Sequence, residues 1–157
     1  MTSPLSLPAF RHSVDIQMRF GDTDLQGHVS NTAYQHYFDC GKLDYFHLLL
    51  PDIDWNMQTF VGASVKIDYL KPVFLNTRIA VETRTAHIGN KSITMEHRLV
   101  NRSNGEIMAT CTSVLVCFNR QTQQSIPVPE QWRKNITQYE HCGEMPVDHP
   151  TNIPPTV

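Results

Sequence analysis

Charge is sparse in this chain, and neither sign dominates. Its 157 residues carry 13 basic and 15 acidic side chains, a formal net charge of −2 and a charged fraction of 18%. With no basic excess, the whole-chain charge does not point to nucleic acid or an anionic membrane surface as a partner. No apolar run approaches the roughly 20 residues a membrane helix needs, so membrane insertion is not expected. The first ten residues have no charged stretch ahead of an apolar one and do not read as a secretory signal. Cysteine is limited to Cys40, Cys111, Cys117 and Cys142, with no C-x-x-C pair. These read as small apolar or semi-exposed residues rather than disulfide partners. A reducing, cytoplasmic setting is the corresponding expectation. The eight histidines include no H-E-x-x-H and no H-x-H, so no metal site is expected. No serine stands in a G-x-S-x-G elbow. The phosphate-cradling G-x-x-x-x-G-K-S/T and the dinucleotide G-x-G-x-x-G are missing too.

What the chain does have is a clear shift of period. His12 to Phe20 alternates, with Val14, Ile16, Met18 and Phe20 on one face, and reads as a half-buried strand. From Asn31 to about Leu50 the apolar spacing becomes helical, through Tyr34, Tyr37, Phe38, Gly41, Tyr45, Leu48 and Leu49. Ser30 or Asn31 supplies the N-cap, and Pro51 ends the helix. Gly41 inside this helix costs about 1 kcal/mol against alanine, which a close approach to a packed sheet would explain. Four strand patterns follow, at Thr59–Leu70, Asn76–Ile88, Lys91–Asn101 and Glu106–Asn119. Gly89-Asn90 and Asn104-Gly105 are hairpin signals between them. In the last strand the apolar face switches near Thr112-Ser113, which suggests a bulge. Pro127 to Tyr139 reads as a short helix.

The expected architecture is α+β: an antiparallel sheet of about five strands, the last four in a meander, covered by one long helix. Residues 1–140 form one domain, and the proline-rich tail at 141–157 is expected to be disordered. A single helix covers one sheet face only, so the remaining edge points to dimerisation.

The chemically suggestive stretch is the loop that enters the helix. Asp24 stands just ahead of a helix start, where unpaired backbone N–H groups and the positive end of the dipole can hold an oxyanion. The competing reading is an aspartate that bonds its own backbone in an Asx-turn. Gly27 serves either a positive φ or a close approach to a ligand. His28 either touches a substrate carbonyl or is structural, and Asn31 is of interest for its backbone N–H. Lys91 follows a tight turn and could meet a phosphate.

The run from Arg19 to Tyr34, RFGDTDLQGHVSNTAY, resembles the signature of the 4-hydroxybenzoyl-CoA thioesterase-like family of the hot-dog fold, D-x-D-x-x-G-x-V-x-x-x-x-Y. Tyr69-Leu70-Lys71-Pro72, Gly89-Asn90-Lys91-Ser92 and Val114 to Phe118 are similar to its later landmarks. The resemblance implies a sheet wrapped around a central helix, assembled as a homodimer or homotetramer with sites between protomers. It also implies hydrolysis of an acyl-CoA thioester without metal or cofactor. By position, Asp24 maps to the catalytic carboxylate and the Asn31 N–H to the oxyanion donor, with Gly27 and His28 beside them. Lys91 and Tyr34 are the candidates for contact with the substrate or its CoA portion. His28-Val29-Ser30-Asn31 looks more like members that act on aliphatic fatty acyl groups. The alternatives are an acyl-carrier-protein thioesterase and a non-catalytic module that binds acyl-CoA.

Overall fold

In the computed structural model, which describes residues 9–142, the long helix lies where the periodicity places it. This helix, α1 (Asn31–Leu49), starts after Ser30, whose extended backbone (φ −70°, ψ 150°) turns the chain into it. Its buried stripe is Ala33, Tyr34, Tyr37, Phe38, Gly41, Tyr45, Phe46 and Leu49. At Gly41 the helix touches the sheet so closely that a Cβ would sit 2.3 Å from Val81 Cγ1 and 3.1 Å from Thr83 Oγ1. The glycine is the notch that lets the helix seat, as the sequence suggested.

The strands are β1 (His12–Ile16), β2 (Gln58–Tyr69), β3 (Ile79–Ile88), β4 (Ser92–Asn101), β5 (Ile107–Asn119) and a two-residue β6 (Gln124–Ser125). They form one antiparallel sheet in the order β1-β3-β4-β5-β2, with β6 on β5. Both hairpin signals hold: Gly89 N–H donates to Ser92 at 2.7 Å, and Gly105, with φ 75°, closes the β4–β5 turn on Asn101 at 2.8 Å.

Three expectations need correction. The four later strands are not one meander. Only β3, β4 and β5 run in sequence, while β2 crosses to the far side and pairs with β5 from Gln58↔Asn119 to Tyr69↔Ala109. Alternation fixes which face of a strand is buried but not which strand it joins. The first strand also ends early, at Ile16. Phe20–Asp22 is a 3-10 turn, and Phe20 is 88% exposed. The buried Asp22 carboxylate draws the Arg19 N–H to itself at 2.9 Å and pulls the chain off the sheet. Finally, β5 does not switch faces. Ala109, Cys111, Ser113, Leu115 and Cys117 are buried in succession. The irregularity belongs to β2, between Gly62 and Ser64. Ser113 is buried because His97 Nε2 lies 3.4 Å from its hydroxyl, while His97 Nδ1 lies 3.0 Å from Thr83 Oγ1.

The short helix is α2 (Glu130–Cys142). It closes the far end of the helix-covered face, with Trp132 against Phe60 and Tyr139 edge-on to Tyr45. Its Glu140 carboxylate accepts hydrogen bonds from the Tyr45 hydroxyl at 2.6 Å and the Thr85 N–H at 2.8 Å. The expected disordered tail lies, from residue 143 on, outside the described residues. Cys40, Cys111, Cys117 and Cys142 are free thiols. Burial pushes the pKa of Cys117 up to about 12, which suits an inert core residue. Among the described residues no helix is long and apolar enough to cross a membrane.

Candidate active site

The loop before α1 is folded by its own backbone. Asp24 N–H donates to the His28 carbonyl at 2.8 Å, and Gly27 N–H returns to the Asp24 carbonyl at 3.0 Å. Gly27 holds φ 78°, the left-handed conformation that closes so tight a loop at little steric cost. Val29 N–H then donates to Val73 at 2.7 Å and Ser30 N–H to the Asp22 carbonyl at 2.8 Å. These bonds pin the loop to the segment after β2 and deliver the chain to the helix start.

Asp24 Oδ1 accepts the N–H groups of Gln26 at 2.8 Å and His28 at 3.3 Å. The Asx-turn reading of Asp24 is therefore realised. It does not exclude chemistry, because the turn uses one oxygen. Among the described residues Oδ2 has no hydrogen bond, and the side chain is exposed. One carboxylate oxygen is thereby tethered to the turn and the other left open to a ligand.

Asp24 opens onto a cleft of about 280 Å³ lined by His28, Val29, Asn31, Tyr34, Tyr69, Leu70, Lys71 and Pro72 as well. Four residues singled out in the sequence thus share one cavity: Asp24, His28, Asn31 and Tyr34. Asn31 is the first residue of α1, so its N–H belongs to the first turn, where backbone donors have no intrahelical acceptor. Tyr34 is buried, its ring edge-on to Tyr69 at 5.0 Å. Burial pushes its hydroxyl pKa up, which keeps it a neutral donor. The His28 ring packs edge-on against Phe74 at 4.8 Å and forms part of the wall.

Lys91 is not in this cleft. Its ammonium donates to Ser125 Oγ at 3.4 Å, and its carbonyl accepts Cys117 N–H. The cleft residue Tyr69 is paired with Ala109, eight positions along β5 from Cys117, or about 26 Å. Within one protomer Lys91 and Asp24 stand at opposite ends of the sheet.

The sequence reading missed the second wall, Tyr69 to Pro72. Its signal was present as a strand end closing on Lys71-Pro72, but only the sheet order brings that end against Asp24. Lys71 is ion-paired with Glu106 on the rim. A larger groove, of about 490 Å³, runs along the other flank of α1, where Val14 and Ile16 face Tyr37, Cys40 and Leu43. It contains no carboxylate beside a helix start, which leaves the smaller cleft as the candidate site.

Beneath the loop lies Asp22, 3% exposed. Its Oδ2 accepts the Tyr37 hydroxyl at 2.8 Å as well as the Arg19 N–H, and its Oδ1 faces the Arg19 guanidinium at 2.9 to 3.0 Å. Burial alone would raise its pKa, but the bonds from Arg19 and Tyr37 outweigh burial and hold it below the usual value.

Comparison with known proteins bears on the fold and the family. The Thioesterase-like superfamily model matches residues 18–136. A crystal structure of a thioesterase from Thermus thermophilus, complexed with coenzyme A and Zn, superimposes with a TM-score of 0.75 at 32% identity. It covers 85% of this chain and 97% of its own. The acyl-CoA thioesterase YbgC of Haemophilus influenzae is 24% identical over 76% of this chain and 89% of its own length. A 1,4-dihydroxy-2-naphthoyl-CoA hydrolase of Synechococcus elongatus is 29% identical over 73% and 86%. With the hot-dog arrangement of helix and sheet, the loop-to-helix cleft and a family match spanning most of the chain, this protein belongs to the thioesterase-like superfamily.

Proposed function

We propose that this protein hydrolyses acyl-CoA thioesters to the free acid and CoA. The observation that carries the reading is the pairing, in one cleft, of the free Asp24 Oδ2 with the helix-start N–H of Asn31. The thioester carbonyl oxygen accepts the Asn31 N–H, so that negative charge developing there meets a fixed donor and the dipole of α1. One such donor contributes about 3 kcal/mol in comparable sites. Asp24 either takes a proton from the attacking water or attacks the carbonyl carbon itself, giving an anhydride that water then opens. In both routes the C–S bond breaks, the CoA thiolate leaves and is protonated, and water supplies the new carboxyl oxygen. Gly27 keeps the loop tight, while His28 and Tyr34 shape the wall. No metal is needed for this sequence of steps.

The acyl group we assign is aliphatic. Val29, Leu70, Pro72 and the Tyr34–Tyr69 pair give the cleft an apolar wall, and the His28-Val29-Ser30-Asn31 run resembles that of fatty-acyl members. The relatives support a CoA thioester as the substrate class and include both acyl-CoA and aromatic-CoA enzymes.

The working unit we assign is a dimer joined through β2. This 12-residue strand is one of the two edges of the sheet, and it exposes Val61, Val65 and Tyr69. Such an edge calls for a partner. Antiparallel pairing with a second β2 sets the Gln58 end of one chain beside the Tyr69 end of the other. That brings the partner's Lys91 towards the Asp24 cleft, where an ammonium can meet CoA phosphates. A thiol-release assay across short, long and aromatic acyl-CoAs tests the activity. Turnover is expected, fastest on aliphatic chains. Tight acyl-CoA binding without thiol release would instead show a binding module, and release only from carrier-bound acyl groups would show a carrier-protein thioesterase.

A further inference from the structure

The buried carboxylate of Asp22 takes part in none of the steps above and does not line the Asp24 cleft. A carboxylate this buried is costly unless its contacts compensate it; those of the carboxylate fall on Arg19 and Tyr37, and the residue's backbone carbonyl adds a third, to Ser30. Arg19, at the exit from β1, gives its N–H and its guanidinium. Tyr37, two turns into α1, gives its hydroxyl. Ser30, the cap of α1, gives its N–H to the Asp22 carbonyl. The two reacting groups lie one or two residues past these anchors: Asp24 after Asp22, and Asn31 after Ser30. We infer that Asp22 is a positioning residue for thioester hydrolysis. Clamped by Tyr37 and Arg19, it fixes the spacing between the Asp24 carboxylate and the Asn31 N–H.

The kinetic side of this inference rests on the thioesterase reading; the structural side does not. The physical reason is that the two groups act on the same carbonyl from loop and helix. A displacement of about 1 Å between them can cost on the order of 10²-fold in rate. The bonds among Asp24, Gly27 and His28 move with the loop, whereas the Ser30 N–H to Asp22 carbonyl bond ties it to the helix start. The Tyr37–Asp22 bond spans from the loop to the body of the helix. Tyr37 is held as a neutral donor, since burial and the adjacent Asp22 charge raise its pKa. The hydroxyl therefore keeps the proton that it donates to the ionised Asp22 carboxylate.

The test is Tyr37→Phe, which removes one hydroxyl, with Asp22→Asn as the conservative partner. Thiol release and backbone amide exchange are measured on each variant and on the double variant. Tyr37→Phe is expected to lower kcat about tenfold with KM within twofold. Exchange of the Asp24 and Ser30 amides should rise about tenfold, while that of Leu99 in β4 stays unchanged. The double variant should be no slower than Asp22→Asn alone, because both substitutions break one clamp. Unchanged kcat and unchanged loop exchange would overturn the inference. So would a uniform rise in exchange at Ser30 and Leu99 with kcat per folded molecule preserved, since that would show a stability role only. If the wild-type protein released no thiol from any acyl-CoA, the exchange comparison alone would decide: local acceleration supports the clamp, and uniform or absent acceleration overturns it.

Discussion

Gly41 in α1 and Val81 in β3 are in contact across the helix–sheet interface, so that a single methyl at Gly41 would lie 2.3 Å from Val81 Cγ1. Alanine at 41 would gain about 1 kcal/mol in helix propensity. It would also overpack against a stiff, branched side chain, at a penalty of about 1 to 3 kcal/mol. Gly41→Ala is expected to be destabilising by about 1 kcal/mol net in a urea melt. Adding Val81→Ala should restore part of that loss, which would place the clash between these two residues.

His97 makes stability depend on pH. Burial holds its imidazole neutral and lowers its pKa from 6.5 to about 3. The unfolded chain therefore binds a proton below about 6.5 that the folded chain refuses until about 3. Stability is fully present above about 6.5 and is lost as the pH falls through that window, with a limiting slope of about 1.4 kcal/mol per unit. Denaturant melts between about pH 7 and 4 should show this slope, and His97→Gln should flatten it.

Asp24→Asn separates the turn from the chemistry. Asparagine keeps an Oδ1 that can accept from Gln26 and His28, so the loop and the melting temperature should be preserved. The carboxylate is gone, and kcat should fall by about 10² to 10⁴. A variant with near-wild-type turnover would remove Asp24 from the mechanism.

Val65 lies at the open edge of β2, 46% exposed. A charge there opposes edge-to-edge pairing. Val65→Lys is expected to shift the protein from dimer to monomer in sedimentation, with hydrolysis falling in parallel. A variant that stayed dimeric and active would place the interface elsewhere.

The helix and the loop were legible in the sequence because both are local. Tyr34, Tyr37, Phe38 and Tyr45 mark one face at helical spacing, and Gly27 with Asp24 marks the turn ahead of it. What could not be read was anything set by distant pairing. The junction of β2 with β5 joins segments far apart in the chain, and alternation is blind to such pairings. For that reason the role of Tyr69–Pro72 as a wall went unseen, and Lys91, a candidate for the same substrate as Asp24, lies away from it in the protomer. Asp22 was visible as the first aspartate of the D-x-D motif. Its burial was not, because a charged loop residue reads as solvated until Tyr37 and Arg19 are seen to surround it.

The distance between Asp24 and Lys91 within one chain has a genetic meaning in the proposed dimer. In that dimer each cleft would draw its carboxylate from one subunit and its phosphate-binding ammonium from the other. A chain with Asp24→Ala and a chain with Lys91→Ala are each defective at both sites of their own dimer. Co-expressed, they form heterodimers in which one cleft receives both intact groups and the other receives neither. Two loss-of-function alleles would then rescue one another in the same cell.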